Sequence, residues 1–290
     1  MCVITNDCNQ ACKHCVAGSA IGSKEHLKYE ALKQLLEDVS KIADDSIVSF
    51  VGGEATIWPG FFDIIEEEPF KTIKNKMLYT NATALSSSKI QKIKAANFYE
   101  VRISVDSDRK YEHDGLRGDG SFDSMKRALK EMVGVGIPVT AASVLKKNNS
   151  IRINEMLTFM KNSGIRYVHL LPFYYSGRGE YQREIALDAT DIQDVVRHVM
   201  HDYPEIDYIP NCEKGTAYFK IDYNGDCILQ QNRDKILLGN IYYNTFEELV
   251  KKALTDNTVT YIDCKRCRYY NTPILCKNMN KYCVYAVTLN

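Results

Sequence analysis

The feature that most constrains this chain is an alternation. Before residue 175, six short apolar runs rich in β-branched residues (2–5, 46–51, 76–79, 100–105, 138–144 and 167–171) are separated by segments whose apolar residues recur at helical spacing. The helical segments are 26–43, 61–67, 87–96, 122–133 and 153–162, and in the last of them Ile153, Met156, Leu157 and Met160 mark one face. A helix between consecutive strands returns the chain so that the strands run parallel, with right-handed crossovers. Six such units predict an α/β fold whose parallel sheet is open or curled into part of a barrel. Ligands of such sheets sit beyond the C-terminal ends of the strands. The loops beginning at Asn6, Gly52, Thr80, Asp106, Leu145 and Pro172 are therefore expected to carry the chemistry.

After a polar stretch near 174–182 the texture changes. A helix is predicted over 189–201, and extended runs at 217–222 and 227–231 flank Asn224-Gly225, a strong hairpin signal. A helix over 246–254 and a cysteine-rich tail follow. Two domains are expected, 1–187 and 188–290, the second made of a bridging helix, a β-hairpin and the tail. No solenoid repeat or low-complexity segment interrupts this pattern.

Lys+Arg and Asp+Glu both total 37, so the formal charge is zero and no basic field is present to hold nucleic acid or an anionic membrane. No apolar run approaches the roughly 18–20 residues that span a bilayer, and residues 1–5 do not read as an export signal. A cytoplasmic protein with neither nucleic-acid nor membrane partners is expected.

Ten cysteines in 290 residues form two groups: Cys2, Cys8, Cys12 and Cys15, then Cys212, Cys227, Cys264, Cys267, Cys276 and Cys283. A chain this long and this apolar needs no disulfide framework, so metal or redox chemistry at two sites is the better reading. In the loop after the first strand the spacing is Cys8-x3-Cys12-x2-Cys15. Three adjacent thiolates can hold three irons of a cubane and leave the fourth iron open to another ligand. A zinc knuckle is the alternative, although structural zinc takes four closed ligands. Cys2, inside the first strand, reads as core.

At this spacing the sequence resembles the radical S-adenosylmethionine (SAM) superfamily, and the resemblance implies a partial (β/α)6 TIM-like barrel. It also implies a [4Fe–4S] cluster on Cys8, Cys12 and Cys15, with SAM on its open iron. Val51-Gly52-Gly53-Glu54 resembles the motif whose backbone and acid hold the methionine amino group. Thr80-Asn81, Ile103-Ser104-Val105-Asp106 and His113-Asp114-Gly115-Leu116-Arg117-Gly118 match further SAM-side stretches, as in anaerobic sulfatase-maturating enzymes. By resemblance, Gly52, Gly53, Glu54, Asn81, Ser104, Asp106 and Arg117 contact SAM, while Leu171 and His14 border the adenine. The implied chemistry is reductive cleavage of SAM to a 5′-deoxyadenosyl radical that abstracts a substrate hydrogen, with an electron donor such as flavodoxin or ferredoxin.

The C-terminal cysteines, with Leu238-Gly239-Asn240-Ile241, resemble the SPASM and twitch extensions of this superfamily, which carry auxiliary [4Fe–4S] clusters. The spacers depart from the usual pattern. In Cys264-x2-Cys267-x8-Cys276-x6-Cys283 the last two gaps are long, and Cys227 falls short of the customary offset from Gly225. One auxiliary cluster on Cys212, Cys227, Cys264 and Cys267, two incompletely ligated clusters, or a zinc ribbon all fit these cysteines. In the one-cluster reading, Cys227, Cys276 or Cys283 is a candidate hydrogen-atom donor to substrate, and buried structural roles are the plainer alternative.

The leading functional expectation is modification of a ribosomally made peptide by cross-linking, epimerisation or oxidation. Leader binding is then expected to fall to a separate protein or to the C-terminal region. A dehydrogenase or epimerase of an aminocyclitol or sugar is the alternative. A non-catalytic electron carrier on the same fold is a third, and it predicts no deoxyadenosine from SAM.

Overall fold

The computed structural model describes residues 1–42, 46–165, 167–202, 217–231 and 234–255. Nine strands form one sheet: β1 (Cys2–Val3), β2 (Ile47–Val51), β3 (Asn75–Thr80), β4 (Glu100–Ser104), β5 (Val139–Val144), β6 (Tyr167–Leu171), β7 (Ala217–Ile221), β8 (Asp226–Gln231) and β9 (Asp234–Asn240). Their spatial order is β6-β5-β4-β3-β2-β1-β7-β8-β9. The first six are mutually parallel, β7 joins β1 in parallel, and β8 and β9 complete an antiparallel meander. Among the described residues β6 and β9 are the edges of the sheet, and the barrel is partial. The expected α/β fold is present, with the six sequence-read strands in place.

Helices α1 (Tyr29–Ile42), α2 (Phe61–Ile64), α3 (Glu68–Thr72), α4 (Ser87–Ala95), α5 (Lys110–Arg117), α6 (Ser121–Gly134), α7 (Lys147–Ser150), α8 (Ile153–Asn162), α9 (Ala189–Asp202) and α10 (Phe246–Thr255) complete the described elements. Helix α1 buries Leu32, Leu35, Leu36 and Val39, and α6 buries Phe122, Met125, Ala128, Leu129 and Met132, each at the spacing of one helical face. They cover the outward side chains of the strands, among them Phe50, Leu78, Val101, Ile103 and Ala141, in one apolar core. Because side chains alternate along a strand, the residues between these face inward.

The structure refines three expectations. The helix read at 61–67 ends at Ile64, and a second short helix follows at Glu68–Thr72 with Pro69 in its first turn, where its missing N–H costs nothing. Helix α5 went unread because it is almost entirely polar and offers no apolar stripe. The hairpin continues into a third strand, β9, across a bulge at Cys227/Ile228. The meander is tied to the barrel: Met1 donates to Phe219 O at 2.8 Å, and Phe246 N donates to Asp38 of α1 at 2.9 Å.

Candidate functional site

The loop carrying Cys8, Cys12 and Cys15 leaves β1 and is gripped by the ends of the other strands. After β2, Gly53 N donates to Thr5 O and Glu54 N to Asp7 O, both at 2.9 Å. A Cβ on Gly53 would stand 2.1 Å from Asp7 O, so only glycine permits this approach. After β3, Asn81 Nδ2 donates to Asn9 Oδ1 at 2.8 Å and lies 4.0 Å from Cys8 Sγ. After β6, Arg178 Nε donates to Cys12 O at 2.8 Å, a further guanidinium N–H reaches Ser19 O at 2.7 Å, and its backbone N–H reaches Cys15 O at 3.0 Å. The residue before it, Gly177, has φ +57°, and a Cβ there would meet Cys15 O at 2.5 Å. Arg178 was not singled out from sequence; its only signal was its place in the polar stretch after the last barrel strand.

Glu54 is buried, and its carboxylate accepts from Thr56 Oγ1 at 2.6 Å, Thr56 N at 3.2 Å, Thr80 Oγ1 at 2.7 Å and Asn81 N at 2.6 Å. Burial raises its pKa, and these four donors pull the other way. These contacts tie the end of β2 to the end of β3.

Asp106, at the end of β4, is only 1 % exposed and holds a cluster together. Its Oδ2 lies 2.7 Å from Arg117 Nε and 3.2 Å from His14 Nε2; its Oδ1 accepts from Val144 N at 2.9 Å and lies 3.5 Å from Lys146 Nζ. Burial alone would raise the Asp106 carboxyl, but Arg117, Lys146 and His14 hold it well below the usual carboxylate range. Burial lowers the pKa of both His14 and Lys146, against the pull of Asp106. Arg117 also extends a guanidinium nitrogen to within 3.8 Å of Cys12 Sγ. The carboxylate therefore aims a cation at the cysteine loop. Lys146 had no sequence signal beyond its place just after an apolar strand.

The His113–Gly118 stretch makes local sense in the same terms. Asp114 accepts from Phe122 N at 2.7 Å, Ser121 Oγ at 3.0 Å and Gly120 N at 3.2 Å, which caps the start of α6 with a side chain from α5. His113 Nδ1 accepts from Asp106 N at 3.4 Å, and its ring meets Phe122 edge-on with centroids 5.7 Å apart. These braces fix the turn after α5, which leaves Arg117 pointing inward.

Burial is the largest cause raising the pKa of the Cys8 and Cys12 thiols, pushing Cys8 up to about 11, and the neighbouring cysteines add to it. Yet among the described residues no three His, Cys, Asp or Glu converge as a single metal ion requires. Three thiols on one loop, with a guanidinium nitrogen of Arg117 3.8 Å from Cys12 Sγ, suit an anionic iron–sulfur group. Ser104 and Leu171 lie half-buried at the strand ends, and His14 Nδ1 is buried without a hydrogen-bond partner. Cys227 stands apart: it is fully buried on β8 in the apolar core with Cys2, and burial pushes its thiol up to about 12. Cys212, Cys264, Cys267, Cys276 and Cys283 lie outside the described residues.

Residues 2–160 match the family model of the radical SAM superfamily. The chain belongs to that superfamily. Mycofactocin maturase MftC of Mycobacterium tuberculosis is 27% identical over 179 residues, covering 61% of this chain and 44% of that one. The match thus spans less than half the length of this relative. Among solved structures, native anSMEcpe with bound AdoMet and Cp18Cys peptide superposes with TM-score 0.72 at 20% identity, over 95% of this chain and 86% of that one. Streptococcus suis SuiB bound to precursor peptide SuiA gives TM-score 0.68 at 15% identity, over 84% and 62% respectively. At these identities the two structures establish a shared radical SAM fold. No helix among the described residues is long and apolar enough to cross a membrane.

Proposed function

We propose that this protein is a radical SAM enzyme that modifies a peptide. The observation that carries the radical SAM part is the Cys8–Cys12–Cys15 loop, clamped by the ends of β2, β3 and β6 and faced by the Asp106-held guanidinium of Arg117. The peptide part is supported by the likeness to a maturase, MftC, and by the fold shared with two proteins solved with peptides.

In this reading Cys8, Cys12 and Cys15 ligate a [4Fe–4S] cluster. A cluster held by these three thiolates would supply the electron for reductive SAM chemistry at this site. The chain's own residues do the positioning. The backbone at Gly52 and Gly53 closes one side, Ser104 and Arg117 face the SAM carboxylate, and Leu171 and His14 border the adenine. Arg117 suits its part because its planar fork pairs with a carboxylate bidentately. Glu54, Asn81 and Asp106 hold the strand ends and the cysteine loop in register around that ligand. Cys212, Cys264, Cys267, Cys276 and Cys283 are assigned to auxiliary iron–sulfur ligation, and Cys227, packed in the apolar core, to a structural role.

The test is incubation of the anaerobically reconstituted, reduced enzyme with SAM and the peptides encoded beside its gene. A peptide mass change of two hydrogens, or deuterium uptake from the solvent, is expected alongside 5′-deoxyadenosine. If no neighbouring peptide changes while an aminocyclitol or sugar stimulates deoxyadenosine release, the substrate assignment is wrong and the core chemistry stands. Iron and sulfide counts in a Cys8→Ala/Cys12→Ala/Cys15→Ala variant test the tail: about four irons retained means one auxiliary cubane, about eight means two. Zinc in place of iron overturns that assignment.

A further inference from the structure

The inner face of the sheet carries a second polar cluster, further down the strands. On β4, Val101 and Ile103 are fully buried in the core beneath the helices, so Glu100, Arg102 and Ser104 face inward. Arg102 is in register with Tyr79 of β3, and His169 of β6 lies across the intervening β5. Arg102 Nε donates to Glu100 Oε1 at 2.5 Å, and a terminal nitrogen reaches Glu100 Oε2 at 3.3 Å. The other terminal nitrogen lies 2.5 Å from the Tyr79 hydroxyl and 2.9 Å from His169 Nδ1. All three network side chains on β4 and β6, Glu100, Arg102 and His169, are at most 9 % exposed.

The proton accounting in this cluster is decisive. A guanidinium only donates, so His169 Nδ1 accepts and the ring proton sits on Nε2. The Tyr79 oxygen likewise accepts from Arg102, which leaves its O–H free to donate. Among the described residues, no hydrogen bond from Tyr79 O–H or His169 Nε2 to a protein acceptor completes the network. His169 Nε2 is not a sealed orphan. Tyr79 is half-buried, as are Val51, Ser104 and Leu171 at the inward strand ends, whereas inward Met77, Thr140 and Ala142 are buried and the outward side of the sheet is closed by helices. The accessible part of the inner face therefore lies above the cluster, toward the strand ends.

The cluster is electrically neutral. Glu100 cancels Arg102, and burial together with Arg102 pushes His169 down to about 3, so its ring carries no charge near neutrality. A neutral donor pair suits a neutral acceptor, because an anion placed there would lack a counter-charge. Strand geometry sets Arg102 about 7 Å below Ser104 and about 13 Å below Asp106, so a bound ligand fits between this pair and the Asp106–Arg117 anchor.

We propose that Tyr79 O–H and Nε2–H of His169, oriented by Arg102, form a substrate subsite on the inner face of the barrel that binds a backbone amide carbonyl. The assignment rests on the peptide reading above and specifies what that substrate presents to the barrel. Arg102 is a positioning residue: it fixes the His169 tautomer and the direction of the Tyr79 hydroxyl.

The experiment uses reconstituted holoenzyme with SAM and ¹⁵N-labelled histidine, titrated with N-acetylglycine N-methylamide and, separately, with acetate. His169 is assigned by the signal missing from His169→Gln. A saturable shift of His169 Nε2 with the amide is expected, with Nδ1 keeping its acceptor signature. Tyr79→Phe should weaken the amide roughly three- to tenfold, the loss of one hydrogen bond. Arg102→Lys should mix the His169 tautomers, which a purely structural arginine would not do. Saturation by acetate in preference to the amide overturns the carbonyl assignment, and no shift with either probe overturns the subsite. Failure of the peptide reading is separately visible, as saturation by the amide with no change in any peptide's mass.

Discussion

Asp106→Asn is the perturbation whose size follows most directly from the structure. The substitution keeps the shape and removes one charge from a carboxylate that faces Arg117, His14 and Lys146 at 2.7, 3.2 and 3.5 Å. Asp106 and Lys146 side chains are 0% and 3% exposed, so the two cations left behind have little water to turn to. The amide group of asparagine must also present N–H bonds to groups that are themselves donors. Breaking a buried pair by removing one partner costs about 3–5 kcal/mol. Burial already lowers the pKa of Lys146 and the lost pull of Asp106 lowers it further, so discharge of this lysine relieves only part of that cost. With an unfolding entropy of about 2.1 cal/mol/K per residue, the expected loss lowers the melting temperature by about 5–8 °C. Calorimetry and urea unfolding of the anaerobically prepared variant read both quantities. Adding Lys146→Met to Asp106→Asn should recover part of the loss, since one unpaired cation is then gone, and the double-mutant cycle should be non-additive. A loss below about 1 kcal/mol, the scale of a surface ion pair, would refute the claim that Asp106 organises this cluster. Additivity of the two substitutions would refute it too.

Two further outcomes follow. Gly53→Ala forces a Cβ against Asp7 O, 2.1 Å away, and should cost about 1–3 kcal/mol and reduce iron bound at the N-terminal loop; wild-type iron content and stability in this variant would show that the close approach is dispensable. His169 is held to about 3 by burial and Arg102, so below about pH 6.5 the unfolded chain takes up a proton that the native state refuses. Stability should therefore fall by about 1.4 kcal/mol per pH unit from this group alone as the pH drops from about 6.5 toward 3. Urea unfolding across that range should give a shallower slope in His169→Gln, and an unchanged slope would remove His169 from the acid response.

Much of this molecule is readable along the chain. The alternation of period-two runs with helical spacing is local, and it placed six parallel strands and most of their helices, because each element must hide an apolar face of its own. The spacing Cys8-x3-Cys12-x2-Cys15 and the rule that ligands sit beyond strand ends located the candidate site as well, since both depend on short loops. Elements without a periodic apolar face escaped: α5 is polar almost throughout, and β9 became visible only through its pairing with β8.

The partners of the charges could not be read in this way. Asp106, Lys146 and His14 are far apart in sequence, and only the parallel stacking of strand ends brings Lys146 and His14 within 3.5 Å of the Asp106 carboxylate. The same holds for Arg178 on the cysteine-loop carbonyls and for Tyr79, Arg102 and His169 on three different strands. Hydrogen bonds and ion pairs act over about 3 Å, whereas sequence patterns record only whether a side chain must be dry or wet. The sequence by itself determined the architecture, the family and the position of the candidate cysteine loop. Only the tertiary structure decided which buried charge answers which, because that choice is made by distances across the sheet.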